Sequence, residues 1–78
     1  MENLKKLIKA FSEALELPSE KITDELSYGN ETWDSIAHLS LVASIETEFD
    51  IMLNSDDVID MSSFKKAKEI LKKYDINF

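Results

Sequence analysis

Few side chains in this 78-residue sequence could do chemistry, and they sit close together. Asp34, Ser35 and Ile36 form an acid–hydroxyl–apolar step, and His38 follows three residues after the serine. On a helix, that spacing brings Ser35 and His38 to one face. The pattern falls short of an activated nucleophile. No Gly-x-Ser-x-Gly elbow surrounds Ser35, and neither an orienting acid nor an oxyanion hole is evident. His38 reads instead as a surface histidine near a partner site, where its charge could tune binding. An exposed serine hydroxyl can also be esterified. An anionic ester at a helix start meets free amides and the positive end of the dipole, worth about 0.3–1 kcal/mol. The plain structural role of such a serine is to cap the helix.

Other chemistries lack their residues. The acids of Asp50–Asp60 lack the glycine and closing glutamate of a calcium-binding loop. There is no cysteine, so disulfides, thiolate zinc sites and thiol catalysis are excluded. A reducing cytoplasm is the expected setting. No phosphate-cradling glycine loop is present, for the chain holds one glycine.

The positioning elements follow from periodicity. Leu4, Leu7, Ile8, Phe11 and Leu15 recur at helical spacing among lysines and other polar residues, which predicts an amphipathic helix over residues 2–15. Pro18 ends it and pushes Leu17 into extended backbone. A long connection, residues 17–33, then carries Ile22, Leu26, Tyr28 and Trp33, which should plug it onto the helices. Connections of that length in compact domains are usually functional. A second helix should start at Asp34 or Ser35. Ile36, Leu39, Val42, Ile45 and Phe49 are read as its inner face, widened by Leu41 and Ala43, and Ala37, Ser40, Ser44 and Thr47 as its outer one. Asn54 to Asp57 offer a turn and acids for the first turn of a short helix with Val58, Ile59 and Met61. Ser62 or Ser63 then caps a last helix with Phe64, Ala67, Ile70, Leu71 and Tyr74 inside and lysines outside. No segment alternates at period two. The expected fold is all-α, with three main helices, one short one and a long first loop, forming a single domain over residues 1–78.

Charge narrows the partners. The net charge is −7, but residues 12–60 carry thirteen acids and one lysine. An anionic centre repels phosphates, which disfavours nucleic acid and anionic membranes and favours a basic protein partner or solubility. No stretch is long and apolar enough for a membrane span. So small a chain buries only about 60–65% of its unfolded surface, which leaves little room for a deep active site.

Trp33-Asp34-Ser35-Ile36 resembles the Asp-Ser-Leu signature of acyl and peptidyl carrier proteins. The similarity extends over the first helix with Leu4, Leu7 and Phe11. It continues through Ile22-Thr23-Asp24-Glu25-Leu26, then Ile45-Glu46-Thr47-Glu48-Phe49, then the lysine-rich last helix. The resemblance implies that Ser35 bears a phosphopantetheine arm whose thiol carries acyl or aminoacyl groups. It implies that the protein performs no turnover itself. Asp34 would cap the helix or help the modifying enzyme orient a metal and the serine. Ile36 replaces the usual leucine and stays apolar. Expected partners are a phosphopantetheinyl transferase, an acyl or aminoacyl ligase or transferase, and downstream biosynthetic enzymes, with the carrier itself a monomer.

One departure stands out. Ala37, Ser40 and Thr47 fall where carriers of primary fatty acid synthesis show acids, and only Glu46, Glu48 and Asp50 remain at the far end. That points to a specialised carrier with a dedicated set of partners. The partner surface is expected to include Trp33, Ala37, His38, Ser40, Glu46, Glu48, Val58 and Ile59. For Trp33, plugging the core is the stronger reading. The competing class is a non-covalent acidic interaction module in which Ser35 serves only as a cap.

Overall fold

The computed structural model describes residues 2–29 and 31–78. Four helices carry the chain: α1 (Glu2–Leu15), α2 (Ser35–Phe49), α3 (Ser55–Asp60) and α4 (Phe64–Lys72). A single 3-10 turn, Ser19–Lys21, follows Pro18 within the long connection. No strand occurs among the described residues, so the fold is the expected all-α bundle of three main helices and one short one.

Side-chain oxygens start three of these helices. Asp34, Asn54 and Ser63 each accept the amide three residues on, at 2.9 Å, from Ala37, Asp57 and Lys66. Each acceptor satisfies an amide that has no partner within its helix.

A common device stops three helices. Glu16, Asp50 and Asp75 follow α1, α2 and α4 with φ of 56°, 53° and 65°, the left-handed region that favours glycine. The next residue is apolar each time, and its amide turns back onto the helix. Leu17 donates to the Ser12 carbonyl, Ile51 to Glu46 and Ile76 to Leu71. Those apolar residues are half-buried or buried against the core. Covering them is what holds three acids in a conformation unfavourable for side chains.

An aromatic line runs through the core. Phe11 of α1 meets Phe64 of α4 edge to face at 5.0 Å and Trp33 at 5.4 Å. Such pairs add about 0.5–1.5 kcal/mol each beyond burial. The long connection is tied to the start of α4 by two backbone bonds, Tyr28 N–H to Ser62 C=O at 2.8 Å and Phe64 N–H to Leu26 C=O at 3.0 Å. Ile22 and Trp33 are buried as expected. Tyr28 is not a plug. It is 45% exposed and leans edge-on against Trp33.

The inner face of α2 is rotated from the expected one. Leu41 and Ile45 are fully buried, with Ala37 and Phe49 packed beside them, whereas Ile36 is 76% and Leu39 68% exposed. Ala37 was expected outside, and Ile36 and Leu39 inside. The helix is apolar on nearly every side, so periodicity gave its amphipathic phase poorly. Its packing against α1 settled that phase instead.

Glu16→Gly should raise stability by about 1 kcal/mol, or ~4–8 °C in Tm, because it removes a left-handed side chain and an acid at a negative helix end. Glu16→Ala, measured beside it in the same thermal melt, should gain less, since alanine keeps the strained φ.

Candidate functional site

Asp34 and Ser35 set the site. Asp34 Oδ1 accepts the Ala37 amide at 2.9 Å and the Asp34 carbonyl accepts the His38 amide at 2.9 Å. The carboxylate therefore caps α2 and leaves Ser35 as the first helical residue. Ser35 is exposed. Its position combines solvent access with the positive end of a fifteen-residue helix.

Beside Ser35 lies a cleft of about 380 Å³ between α2 and α3. Leu39, Val58, Ile59 and Met61 give it an apolar lining, with Tyr28, His38 and Ser62 adding polar atoms. Leu39 and the 78%-exposed Ile59 form its rim, while Met61, only 1% exposed, lies at its base. The volume is near the lower end for small-molecule sites.

His38 joins three segments at the wall of this cleft. Trp33 Nε1 donates to His38 Nδ1 at 3.0 Å, and His38 Nε2 lies 2.8 Å from the Val58 carbonyl. The indole and imidazole also stack, 26° apart in plane, with Tyr28 edge-on to the imidazole at 5.5 Å. An indole nitrogen can only donate and a carbonyl can only accept. Nδ1 is therefore bare and Nε2 carries the hydrogen. His38 is half-buried and committed at both nitrogens, so it has no hand free to activate Ser35.

A second polar cluster fixes α3, and nothing in the sequence reading signalled it. Asp57 is only 2% exposed. Its carboxylate accepts Lys73 Nζ at 2.5 Å and the Tyr74 hydroxyl at 2.6 Å. Tyr74 Oη in turn accepts the Asn54 amide at 3.1 Å. Tyr74, expected inside the last helix, lies just past its end and serves this cluster. The bonds from Lys73 and then Tyr74 hold the Asp57 carboxyl below its ordinary 3.8. The bond to Asp57 raises Lys73 above 10.5 and Tyr74 above 10.0. Lys73 itself is 61% exposed, so solvent screens part of that ion pair, and the burial of Asp57 works against the lowered value.

The remaining residues expected around Ser35 divide into three groups. Ile36, Ser40 and Ile59 are exposed beside it. Ala37 is half-buried, and Val58 contributes its carbonyl to His38. Trp33 lies wholly inside. Glu46 turns to an internal bond, and Glu48 makes a loose surface pair. Glu46 accepts the Leu53 amide at 2.9 Å, and Glu48 lies 3.8 Å from Lys9 of α1. No cluster of three potential metal ligands occurs among the described residues. No helix there is long and apolar enough to cross a membrane.

Fold and site together define a small helical bundle that presents one serine from a helix start over an apolar cleft. Residues 5–71 match the family model for the phosphopantetheine attachment site, and the chain belongs to that family. The family carries phosphopantetheine covalently on a serine. The residues here fit such a group, with an exposed hydroxyl, a helix N-terminus suited to an anionic ester and an apolar cleft alongside. No curated protein matches the sequence.

Two measurements test this geometry. Long-range ¹⁵N–¹H NMR at neutral pH should find His38 as the Nε2–H tautomer, and Trp33→Phe should keep it, because the Val58 carbonyl still accepts that hydrogen. Asp57→Asn should lower Tm by roughly 5–10 °C. A depressed carboxyl stabilises fully above its unfolded value and loses that effect as pH falls through the folded one. The Tm gap to wild type should therefore hold from about pH 5 to about pH 9 and close below 3.8.

Proposed function

We propose that Ser35 takes the phosphopantetheine arm and that the chain is a carrier of acyl or aminoacyl groups. The observation that carries this is the exposed hydroxyl at the first residue of α2, beside an apolar cleft and within the matched residues. The bound arm supplies a thiol on which acyl groups travel as thioesters.

This chain's own residues present and orient. Asp34 fixes the start of α2 and so the direction in which Ser35 faces. The amides at that helix start favour a negative phosphodiester. Leu39, Val58 and Ile59 offer apolar surface to a small cargo. Tethering raises the local concentration of cargo at each partner, and partner enzymes perform the chemistry. His38, engaged by Trp33 and Val58, supports a presenting role for the chain rather than a catalytic one.

The partners in this reading are a phosphopantetheinyl transferase, an acyl or aminoacyl ligase or transferase that loads the thiol, and downstream biosynthetic enzymes. They would meet Ile36, Ser40 and Ile59 around Ser35. Glu46 is engaged by the Leu53 amide, and Ala37, Ser40 and Thr47 bring no charge to α2, so recognition leans on shape and apolar contact. That supports a specialised carrier rather than one read through a strongly acidic helix. We take residues 1–78 as one carrier domain acting as a monomer. A thiol that must stay reduced to be loaded fits a cytoplasmic setting.

Co-expression with a broad-specificity phosphopantetheinyl transferase should add the mass of one arm to the intact protein, and Ser35→Ala should abolish the addition. An unchanged mass beside a modified control carrier would leave the acidic interaction module as the better account.

A further inference from the structure

The cleft beside Ser35 has a closed floor. Met61 and His38 line it, and Trp33 stacks on His38 from inside the core, where Leu41 and Ile45 are also fully buried. Trp33 is the largest fully buried side chain, and its exposure is zero. It is held on two sides, by the edge of Phe11 at 5.4 Å and by its hydrogen bond to His38. His38 continues the hold into α3 through the Val58 carbonyl. The indole thus cannot swing aside without unpairing an imidazole that ties α2 to α3.

We propose that Trp33 and His38 form a stop that limits the cargo to short acyl or small aminoacyl groups. The proposal rests on the carrier reading above. A short group lies in the cleft against Leu39, Ile59 and Met61 without displacing anything. A longer alkyl chain reaches His38, with the indole stacked behind it, and must either turn out into water or evict the pair. Each methylene taken out of water shifts an equilibrium roughly fourfold. Evicting the indole forfeits the burial of the biggest apolar side chain in the core, its edge contact with Phe11 and the hydrogen bond that anchors it. Several methylenes must therefore be sheltered before any net gain appears. Below that length the chain stays outside, and the bundle interior remains as it is.

The test loads the protein from butyryl- or dodecanoyl-coenzyme A with a promiscuous phosphopantetheinyl transferase, which moves the acyl-phosphopantetheine onto the Ser35 hydroxyl and releases adenosine 3′,5′-bisphosphate, and confirms loading by intact mass. An arm that never attaches sinks the carrier reading, and the mass shows it before any chain-length comparison begins. With the arm in place, methyl NMR follows Leu39, Ile59 and Met61 in the cleft and Leu41 and Ile45 in the core. In the wild type both cargoes should move the cleft signals alone. Hydroxylamine should cleave the two thioesters at rates within about twofold of each other. In Trp33→Ala, the dodecanoyl cargo should also move Leu41 and Ile45, and its cleavage should slow by roughly tenfold or more. Trp33→Phe, a smaller ring without the donor, should slow it by less. Core signals that move in dodecanoyl-loaded wild type overturn the proposal, as does identical behaviour of wild type and variants. The wild-type comparison decides even where Trp33→Ala does not fold.

Discussion

The burial of one indole organises the region around Ser35. Trp33 stands one residue before the cap of α2, so placing its ring inside fixes where that helix begins. Its nitrogen cannot remain unpaired in the interior, and His38 meets that demand from the next turn of the same helix. His38 then has one nitrogen left, and the carbonyl of Val58 takes it. Loop, second helix and third helix are thereby joined through two hydrogen bonds and a stack. The exposure of Ser35 is a by-product: the chain turns outward at Asp34 immediately after it turned inward at Trp33.

Two adjacent residues of α3 are held by different partners. The Val58 carbonyl meets the imidazole, and the buried Asp57 carboxylate is shared between an ammonium and a phenol. Little apolar surface does this work, since Met61 just past the helix is its only fully buried apolar neighbour in that segment. Polar bonds are directional where apolar contact is not, so the wall of the cleft keeps a definite position with few residues.

Much of this was legible in the residues, and the gaps have physical causes. Helix α1 was read to its bounds because lysines alternate with its apolar stripe and leave one phase available. Helix α4 was read for the same reason. In α2 leucine, isoleucine, valine and alanine occur on all sides, so several phases fitted and Ile36 and Leu39 were assigned inward. Asp57 was read as one of several acids suited to a helix start, which it also is. Its true partners lie sixteen and seventeen residues on, beyond the reach of any local pattern. The pairing of Trp33 with His38 is closer in sequence. An indole five residues before a histidine at a helix start is a signal that spacing could have offered. Glu46 reads as an outward charge because nothing in sequence shows that this glutamate folds back onto the amide of Leu53.

The two backbone bonds between the long connection and the start of α4 also govern when the site can exist. They join Leu26 and Tyr28 to Ser62 and Phe64, and the partners of Asp57 lie later still. On a ribosome, the segment bearing Ser35 emerges well before any of these partners. It can coil into a helix, for that needs only neighbours. The floor beneath it must wait for residues 61–74. A nascent chain therefore displays the hydroxyl early and the shape around it late, and only the second marks a chain that has finished folding.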